Sequence, residues 1–307
     1  MEQISSAFKE RIYEVKILRD YIIFSDATCD LPGYILDDMG IEVIPMEFEI
    51  EGKTYKDHPK GGDIGFHEMY DMLRSGKTAV TTQINYDTYR SFFEPKLKQG
   101  FDIIYIGFSS GLSGTFSTAC IVGEDLKEEY PDAGIFMVDS LAASVGEGQL
   151  VYNAALKKQA GMTVDDLYQW VKDNRDHFCH WFTVDDLNHL RRGGRCSAAA
   201  AIVGTALGIK PVLHVDNEGH LIPMLKVRGR RKSLEAMLDK MKETCIKPEE
   251  QVIFIGHGDS IDEAQELERM VREALPVKDV IINRIGPTIG AHSGPGTIAL
   301  FFYGTQK

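Results

Sequence analysis

The spacing of apolar and polar positions changes several times along this chain, and each change marks a predicted strand or helix. The short apolar runs Tyr21–Phe24 and Ile103–Ile106 are typical of strands buried on both faces, because such strands lose the usual polar alternation. After the second run, the sequence predicts a Gly/Ser loop, a helix to about Tyr130 and a strand at Gly134–Val138. We expect this unit to form a right-handed βαβ crossover.

The segment between these two strands is less regular. A second apolar stretch runs from Ile41 to Ile50, and Glu51-Gly52-Lys53 is typical of a hairpin turn. Helices are predicted at about 66–75 and near 87–99. The Thr-rich segment Thr78–Asn85 between them is interpreted as a linker.

A second set of elements begins near residue 163, where Thr-Val-Asp-Asp resembles a capping box that starts a helix. Two apolar segments then flank an Asp-Asn-Glu-Gly hairpin signal, and later strands follow. The predicted strands are Pro211–Val215, His220–Val227, Val252–Ile255, Val280–Arg284 and Thr297–Tyr303. The chain is therefore predicted to contain α/β units over residues 21–162 and 163–307, after an N-terminal extension over residues 1–20.

The length and net charge of the chain limit the classes of function that it can have. The 307 residues suit two domains, and the net charge of −12 argues against nucleic acid as the main partner, since that binding neutralises phosphates. The charge also disfavours adhesion to anionic membranes, although transient membrane contact stays open. No apolar run approaches the ~20 residues that cross a bilayer, and no signal peptide is recognised. The 5 cysteines lack a CxxC pair, so reduced thiols and a cytoplasmic location are expected.

Three segments place hydroxyls, glycines and a histidine where predicted strands end, and open α/β sheets bind ligands at such ends. The first is Ser109–Thr115. A Gly-rich turn that enters a helix exposes backbone N–H groups and the positive end of the helix dipole, which favour an anion. Ser110, Ser113 and Gly114 are therefore candidate ligand contacts. The structural alternative for this loop is a helix N-cap with a tight turn.

The other two segments carry tandem hydroxyls and a histidine. Thr81 and Thr82 precede a predicted helix, where hydroxyls are commonly caps and a ligand role is the alternative. His292 lies in the loop Gly286–Gly296 between two Gly/Pro clusters. Glycine permits close backbone approach and histidine can donate to a carboxylate. A histidine in a surface loop is the structural alternative.

Two basic clusters stand out against the acidic chain, one ending at Arg195 and one spanning Lys226–Lys232. Solvated surfaces are the usual explanation. The alternative is a local site for phosphate or for an acidic protein partner, with Arg195, Arg228 and Arg230 as candidates.

Metal binding is not predicted. His177, Cys179 and His180 lie close together in the sequence, but their spacing matches no standard zinc pattern. No cofactor is expected either.

Five segments occur in a fixed order along the chain: Asp26–Pro32, Thr81–Gln83, Ser109–Thr115, Leu190–Arg195 and Ile289–Gly296. Together they resemble the DegV family of bacterial fatty-acid-binding proteins. A single Gly/Ser loop would be weak support, whereas five ordered segments are specific, and the resemblance spans roughly residues 21–303, nearly the whole chain.

The resemblance implies an α/β fold in which a Rossmann-like, parallel-sheet N-terminal domain packs on a second α/β domain with a mixed sheet. It also implies one long-chain fatty acid, such as palmitate, stearate or oleate, in a tunnel between the domains. In the family, a Thr, a Ser and a His hold the carboxylate, and these positions fall on Thr81, Ser113 and His292, with Gly114 adding backbone N–H. A carboxylate only accepts hydrogen bonds, so these donors suit it. The resemblance thus implies a lipid carrier rather than an enzyme.

One branch of the family presents its fatty acid to an ATP-dependent kinase subunit that makes an acyl-phosphate. The segment Lys226–Lys232 would then dock the partner or stabilise phosphate. Other members have no assigned kinase, and Ile84 replaces the proline usual after the TSQ-like segment. Two other functions stay open. One is a Ser-dependent esterase or acyltransferase, although Gly-x-Ser-x-Gly is absent around Ser113. The other is a phosphate-ligand binder, which the same loops would suit.

Overall fold

A computed structural model describes residues 19–196 and 208–307, so most of the predicted extension lies outside the described residues. The strands of this part of the chain are β1 (Tyr21–Asp26), β2 (Ile41–Ile44), β3 (Met46–Ile50), β4 (Lys53–Asp57), β5 (Ala79–Thr82), β6 (Asp102–Gly107), β7 (Ile135–Asp139), β8 (Phe178–Thr183), β9 (Ile209–Val215), β10 (Leu221–Arg228), β11 (Val252–His257), β12 (Asp279–Arg284) and β13 (Ile298–Tyr303). The helices are α1 (Gly33–Met39), α2 (Phe66–Arg74), α3 (Tyr86–Lys98), α4 (Thr115–Glu129), α5 (Ser144–Gln159), α6 (Val164–Asn174), α7 (Leu187–Gly193), α8 (Arg230–Thr244), α9 (Ile261–Ala274) and α10 (Pro287–Ser293).

The first half of the chain builds a parallel sheet with the strand order β2-β1-β6-β7. Every residue of β6 is buried, as its continuous apolar run predicts for an inner strand. Helix α4 leads from β6 to β7, and these strands pair in parallel. The predicted strand–loop–helix–strand unit is therefore confirmed.

A small antiparallel sheet with the order β4-β3-β5 stands beside the parallel sheet. The apolar stretch Ile41–Ile50 divides at Pro45, so that β2 and β3 enter different sheets. Glu51 and Gly52 have positive φ angles of 53° and 78°, as the predicted hairpin turn requires. The segment Thr78–Asn85 is not a linker throughout, because it contains β5, which pairs with β3. A short strand of half-buried and exposed residues carries too weak an apolar pattern to be predicted.

The second half of the chain builds a mixed sheet with the order β10-β9-β8-β13-β11-β12. The predicted hairpin is confirmed as the antiparallel pair β9–β10. Strand β8 is fully buried, yet its sequence did not predict a strand, because His180 and Thr183 interrupt its apolar residues. It pairs with β9 and β13.

Helix α5 joins the two large sheets, because it packs against β1 on one side and against β8, β11 and β13 on the other. A Cβ atom on Gly146 would stand 2.5 Å from the ring of Phe301 and 2.8 Å from the ring of His180, so the helix backbone lies directly on the mixed sheet. One core cluster accordingly includes both Phe24 of β1 and Phe254 of β11. The two halves share a core rather than touching at their surfaces.

Helix α6 follows the predicted boundary at residue 163. Thr163 caps it by accepting a hydrogen bond from the N–H of Asp166, as predicted. The helix packs against β6, β7 and α5. The division into residues 21–162 and 163–307 stays a prediction.

Candidate ligand-binding site

A central cavity lies where the loops after β6 and β7 face the mixed sheet. Its empty volume is about 860 Å³ including solvent at the mouth, and only a small part of this space is wide enough for a water molecule to move freely. The cavity is therefore narrow for its extent. Most of its wall is apolar, and the apolar residues that line it include Phe108, Leu112, Phe182, Val215, Leu221 and Phe301.

His292 and Thr81 form a polar pair in the wall of this cavity. The hydroxyl oxygen of Thr81 lies 2.9 Å from Nε2 of His292. Thr81 stands on β5, and His292 lies in α10, a short helix where a loop was expected. Burial, followed by the positive charge of Arg195, lowers the pKa of His292 to about 4. The imidazole is therefore neutral at pH 7 and has one donor and one acceptor nitrogen.

Gly193 positions the other edge of the same ring. A Cβ atom on Gly193 would stand 2.3 Å from Nδ1 of His292, so only a residue without a side chain fits there. Nδ1 itself is buried, and within residues 19–196 and 208–307 it has no hydrogen-bond partner. The absence of a side chain at Gly193 thus makes room for the imidazole.

Ser113 also lines the cavity, and its hydroxyl group already has local partners. Its Oγ accepts a hydrogen bond from the N–H of Thr115 at 3.2 Å and donates to the Thr115 hydroxyl at 2.9 Å. The helix-capping alternative is therefore present together with contact to the cavity. Within the part of the chain that the structure describes, no hydrogen bond joins Ser113 to His292.

The Gly/Ser loop is held in place by the hairpin turn of the mixed sheet. Ser109 donates a hydrogen bond to the carbonyl of Gly219 at 3.0 Å. A Cβ atom on Gly219, whose φ is +80°, would stand 2.0 Å from the Ser109 hydroxyl, and one on Gly111 would stand 2.6 Å from the carbonyl of Glu218. Loop and turn therefore fit only because both contacts involve glycine.

The remaining predicted contacts of this cluster occupy different places. Thr82 is exposed and lines the cavity beside Gln83. Gly114 lies against the Gln83 side chain, since a Cβ there would stand 2.9 Å from its amide. Ser110 is exposed, does not line the cavity and donates its N–H to Asp139 at 3.2 Å. The structure thus brings four of the six predicted ligand contacts to the cavity: Thr81, Thr82, Ser113 and His292.

An outer groove adjoins the cavity at the polar pair. Both spaces are lined by Thr81, Arg195 and His292, and the groove adds Thr78, Val80, His189 and Arg192 among others. Arg195 spans the boundary, donating to the carbonyls of Leu112 at 3.2 Å and of Gly193. The polar pair therefore separates an apolar interior from a basic surface.

The second basic cluster lies elsewhere. Arg228 is exposed at the end of β10. Arg230 forms a bidentate ion pair with Glu263, at 2.9 and 2.7 Å, and also donates to the carbonyl of Gly296. Neither arginine lines the cavity or the outer groove. Arg230 connects α8 to α9 and is not a free cation.

Two buried carboxylates fix hydroxyl groups of the cavity wall. Ser144 donates to Asp30 at 2.6 Å, and Thr288 donates to Asp57 at 2.6 Å. Burial raises the pKa of Asp30 well above its usual range and that of Asp57 to about 6, although hydrogen bonds from Ser144 and Thr288 act in the opposite direction. These hydroxyls line the cavity, while the acids stand behind them.

The sequence analysis missed His180 as a residue of the cavity wall. Its position on β8 places it on the same face as Phe182, because residues two apart in a strand share a face, and both line the cavity. Cys179 points to the opposite face, so the two cannot bind one metal ion. Across the part of the chain that the structure describes, no group of three or more His, Cys, Asp or Glu side chains is arranged to hold a metal.

Comparison with known proteins decides the family. A family model described as "Uncharacterised protein, DegV family" matches residues 21–305. The chain belongs to the DegV family. A DegV domain-containing protein of Clostridium perfringens is 42% identical to it over 290 residues, covering 94% of this chain and 99% of the relative.

Solved structures of fatty-acid-binding proteins share the fold of this DegV chain. One from Thermus thermophilus, named for its fatty acid binding, has a TM-score of 0.83 at 26% identity and covers 93% of this chain and 99% of its own. A stearic acid-binding protein from Eubacterium ventriosum has a TM-score of 0.82 at 25% identity, with coverage of 92% and 97%. The expected α/β architecture with a parallel and a mixed sheet is confirmed. No helix of the described DegV residues is long and apolar enough to span a membrane.

Proposed function

We propose that this chain binds one long-chain fatty acid, such as palmitate, stearate or oleate, in the central cavity. The observation that carries the proposal is a narrow apolar cavity that ends at a hydroxyl–imidazole pair, Thr81 with His292. The fatty acid binding of the DegV family protein from Thermus thermophilus and of the stearic acid-binding protein from Eubacterium ventriosum supports it.

The head group is held by neutral donors in this proposal. Nε2–H of His292 donates to the hydroxyl oxygen of Thr81, whose own proton is then free to bind a carboxylate oxygen. Ser113 adds a second hydroxyl at the start of α4, where the helix dipole favours a negative charge. To donate to the carboxylate, it exchanges its hydrogen bond to the Thr115 hydroxyl for one to the ligand. Because His292 is neutral, it acts by orienting Thr81 rather than as a counter-ion.

The acyl chain supplies most of the affinity. Burial of each CH₂ group contributes about 0.8 kcal/mol, so a long chain outweighs the hydrogen bonds of its head group. The narrow, apolar wall suits a flexible chain and would leave a nucleotide or sugar phosphate without polar partners inside. A phosphate ligand is therefore the weaker hypothesis for the cavity.

Extraction of the purified protein tests this function. The protein is denatured, its lipid fraction is extracted into organic solvent, and mass spectrometry identifies the acids and their ratio to protein. About one long-chain acid per chain is expected. Lipid-free protein whose melting temperature rises with nucleotide and not with fatty acid would refute the proposal.

We further propose that the chain is a carrier that presents its carboxylate to an ATP-dependent kinase subunit. The polar pair borders the outer groove, where Arg192 and Arg195 can neutralise a phosphoryl group. There a carboxylate oxygen attacks the γ-phosphorus of ATP, the bond to the bridging oxygen breaks, and acyl-phosphate and ADP result. Arg228, exposed on edge strand β10, is the proposed docking residue.

Hydroxylamine trapping tests the kinase step, because it converts an acyl-phosphate into a stable hydroxamate. The lipid-loaded chain is mixed with ATP and a candidate kinase subunit of the same source, and the hydroxamate is measured. Arg228→Glu should reduce its formation, whereas Lys278→Glu, beside the opposite edge strand β12, should not. If both variants form as much hydroxamate as the wild-type protein, docking at Arg228 is excluded. Hydroxamate formed by the chain without the kinase would contradict a carrier role.

A further inference from the structure

His180 is a polar residue inside an otherwise apolar stretch of the cavity wall. Its side chain is 1% exposed and packs edge-on against Phe301, with ring centroids 5.5 Å apart. The backbone of α5 packs against the His180 ring at Gly146. Its own strand is held firmly, because the ring of His214 donates to the carbonyl of His180 at 2.9 Å.

Both ring nitrogens of His180 are buried, and neither has a hydrogen-bond partner among the described residues. A buried polar group without a partner forfeits the hydrogen bond that it made with water before folding. Burial and the positive charges of Lys307 and His214 lower its pKa well below the usual range, so the ring is neutral. It therefore presents one unused donor and one unused acceptor.

The position of His180 along the sheet separates it from the polar pair. His180 pairs with Phe301 across the strands, whereas Thr297, at the start of β13, bonds the carbonyl groups of Ser293 and Gly294 at the end of α10. Phe301 lies four residue steps along the chain from Thr297, which is roughly 13 Å at about 3.3 Å per residue. A fatty acid with its carboxylate at His292 would thus reach His180 with the middle or tail of its chain.

We propose that His180 is a specificity-determining residue that binds an oxygen substituent on the acyl chain, so that the preferred ligand is a hydroxylated long-chain fatty acid. The inference rests on the proposed fatty acid binding and adds a second polar contact to it. A hydroxyl group can donate to one ring nitrogen or accept from the other, whereas a keto oxygen can only accept. Against the apolar side chains of the wall the same hydroxyl would be buried without a partner and would weaken binding.

A positional series of hydroxyoctadecanoic acids tests the inference against unsubstituted octadecanoic acid. Affinities are measured by titration calorimetry on delipidated wild-type protein. We expect one mid-chain or tail position to bind about threefold to tenfold tighter than octadecanoic acid, and the other positions to bind more weakly. If octadecanoic acid binds and no hydroxy isomer binds tighter, the inference is overturned while the proposed function stands. If no acid binds, the proposed function itself fails.

Matched variants on one strand assign the effect to His180. In His180→Leu the favoured position should disappear and every hydroxy acid should bind more weakly than octadecanoic acid. Phe182→Leu changes the same face of β8 and should shift all ligands alike, leaving the favoured position in place. His180→Asn, which keeps a donor and an acceptor, serves if the leucine variant does not fold. A favoured position that persists in His180→Leu would exclude the role of this histidine.

Discussion

Thr81 Oγ1 and His292 Nε2 lie 2.9 Å apart, although 211 positions separate the two residues in the chain. The contact joins an edge strand of the small sheet to a short helix that precedes β13. It stands where the apolar cavity meets the basic outer groove. Any ligand with an apolar tail and an anionic head would be oriented by this pair.

Removal of the Thr81 hydroxyl should weaken binding of the free acid. A hydrogen bond to a charged group contributes about 1.5–3 kcal/mol, so Thr81→Val should raise Kd by about 10- to 100-fold. The affinity for the methyl ester of the same acid, which carries no charge, should fall much less. The measurement is calorimetric titration of both ligands.

Thr54→Val is the matched control, because Thr54 is an exposed strand residue of the same small sheet. It should leave both affinities unchanged. Equal losses for acid and ester in Thr81→Val would mean that Thr81 supports the wall and does not bind the head group.

The buried imidazole should make folding sensitive to acid. With its pKa lowered from 6.5 to about 4, His292 binds fewer protons in the native state than in the unfolded state between these values. The free energy of unfolding should therefore fall as pH drops through this window, by on the order of 3 kcal/mol from this group. His292→Gln should show a correspondingly shallower dependence in urea melts at several pH values.

NMR titration of the His292 ring provides an independent check. The ligand-free protein should show a midpoint near pH 4. Added fatty acid should move the midpoint upward, because a nearby carboxylate favours the charged imidazole. A midpoint near 6.5 without ligand would show that the ring is solvated.

Gly219→Ala should disturb both stability and ligand binding. A positive φ strains the backbone of an alanine by about 1–2 kcal/mol. The new Cβ would also stand 2.0 Å from the Ser109 hydroxyl oxygen, which would have to move away. The Gly/Ser loop that carries Ser113 should then shift. Gly52→Ala has a similar φ of +78° and nothing within 4 Å, so it isolates the strain. Both variants should have a lower melting temperature than the wild type, whereas only Gly219→Ala should lose affinity for fatty acid.

A buried acid of α5 should be held in its protonated form. Burial, followed by the charge of Asp26, raises the pKa of Glu147 well above its usual range. Thr28 has one hydroxyl proton and lies 2.5 Å from Asp26 and 2.9 Å from Glu147, so a protonated Glu147 can donate to Thr28 while Thr28 donates to Asp26. Glu147→Gln reproduces this donor and should change the free energy of unfolding by less than about 1 kcal/mol at pH 7.

Glu147→Ala should cost about 2–4 kcal/mol, because it leaves a cavity and breaks the hydrogen bonds to Ser25 and Thr28. The exposed Glu128→Gln provides the baseline for a surface exchange, within about 0.5 kcal/mol. Urea denaturation at pH 7 measures all three. A glutamine variant as unstable as the alanine variant would mean that Glu147 is ionised.

Much of the fold follows from local pattern. Several features lie where the sequence predicts them: the strands at Tyr21–Phe24 and Ile103–Ile106, the capping of α6 by Thr163, and the β9–β10 hairpin. Strands β5 and β8 do not, because one is a short exposed edge and the other carries polar residues that are buried by contacts distant in sequence. Their stability comes from pairing with β3, β9 and β13 rather than from their own composition.

The α/β class, the family with its ordered motifs and the residue types of the proposed anion site could all be read from the amino-acid sequence. The contact of Thr81 with His292, the distance of Ser110 and Arg230 from the cavity and the entry of His180 into it became visible only in the folded chain. Local pattern records which face of an element is apolar, whereas sheet order and the packing of α5 and α10 decide which faces meet. Side chains hundreds of positions apart become neighbours through that packing alone.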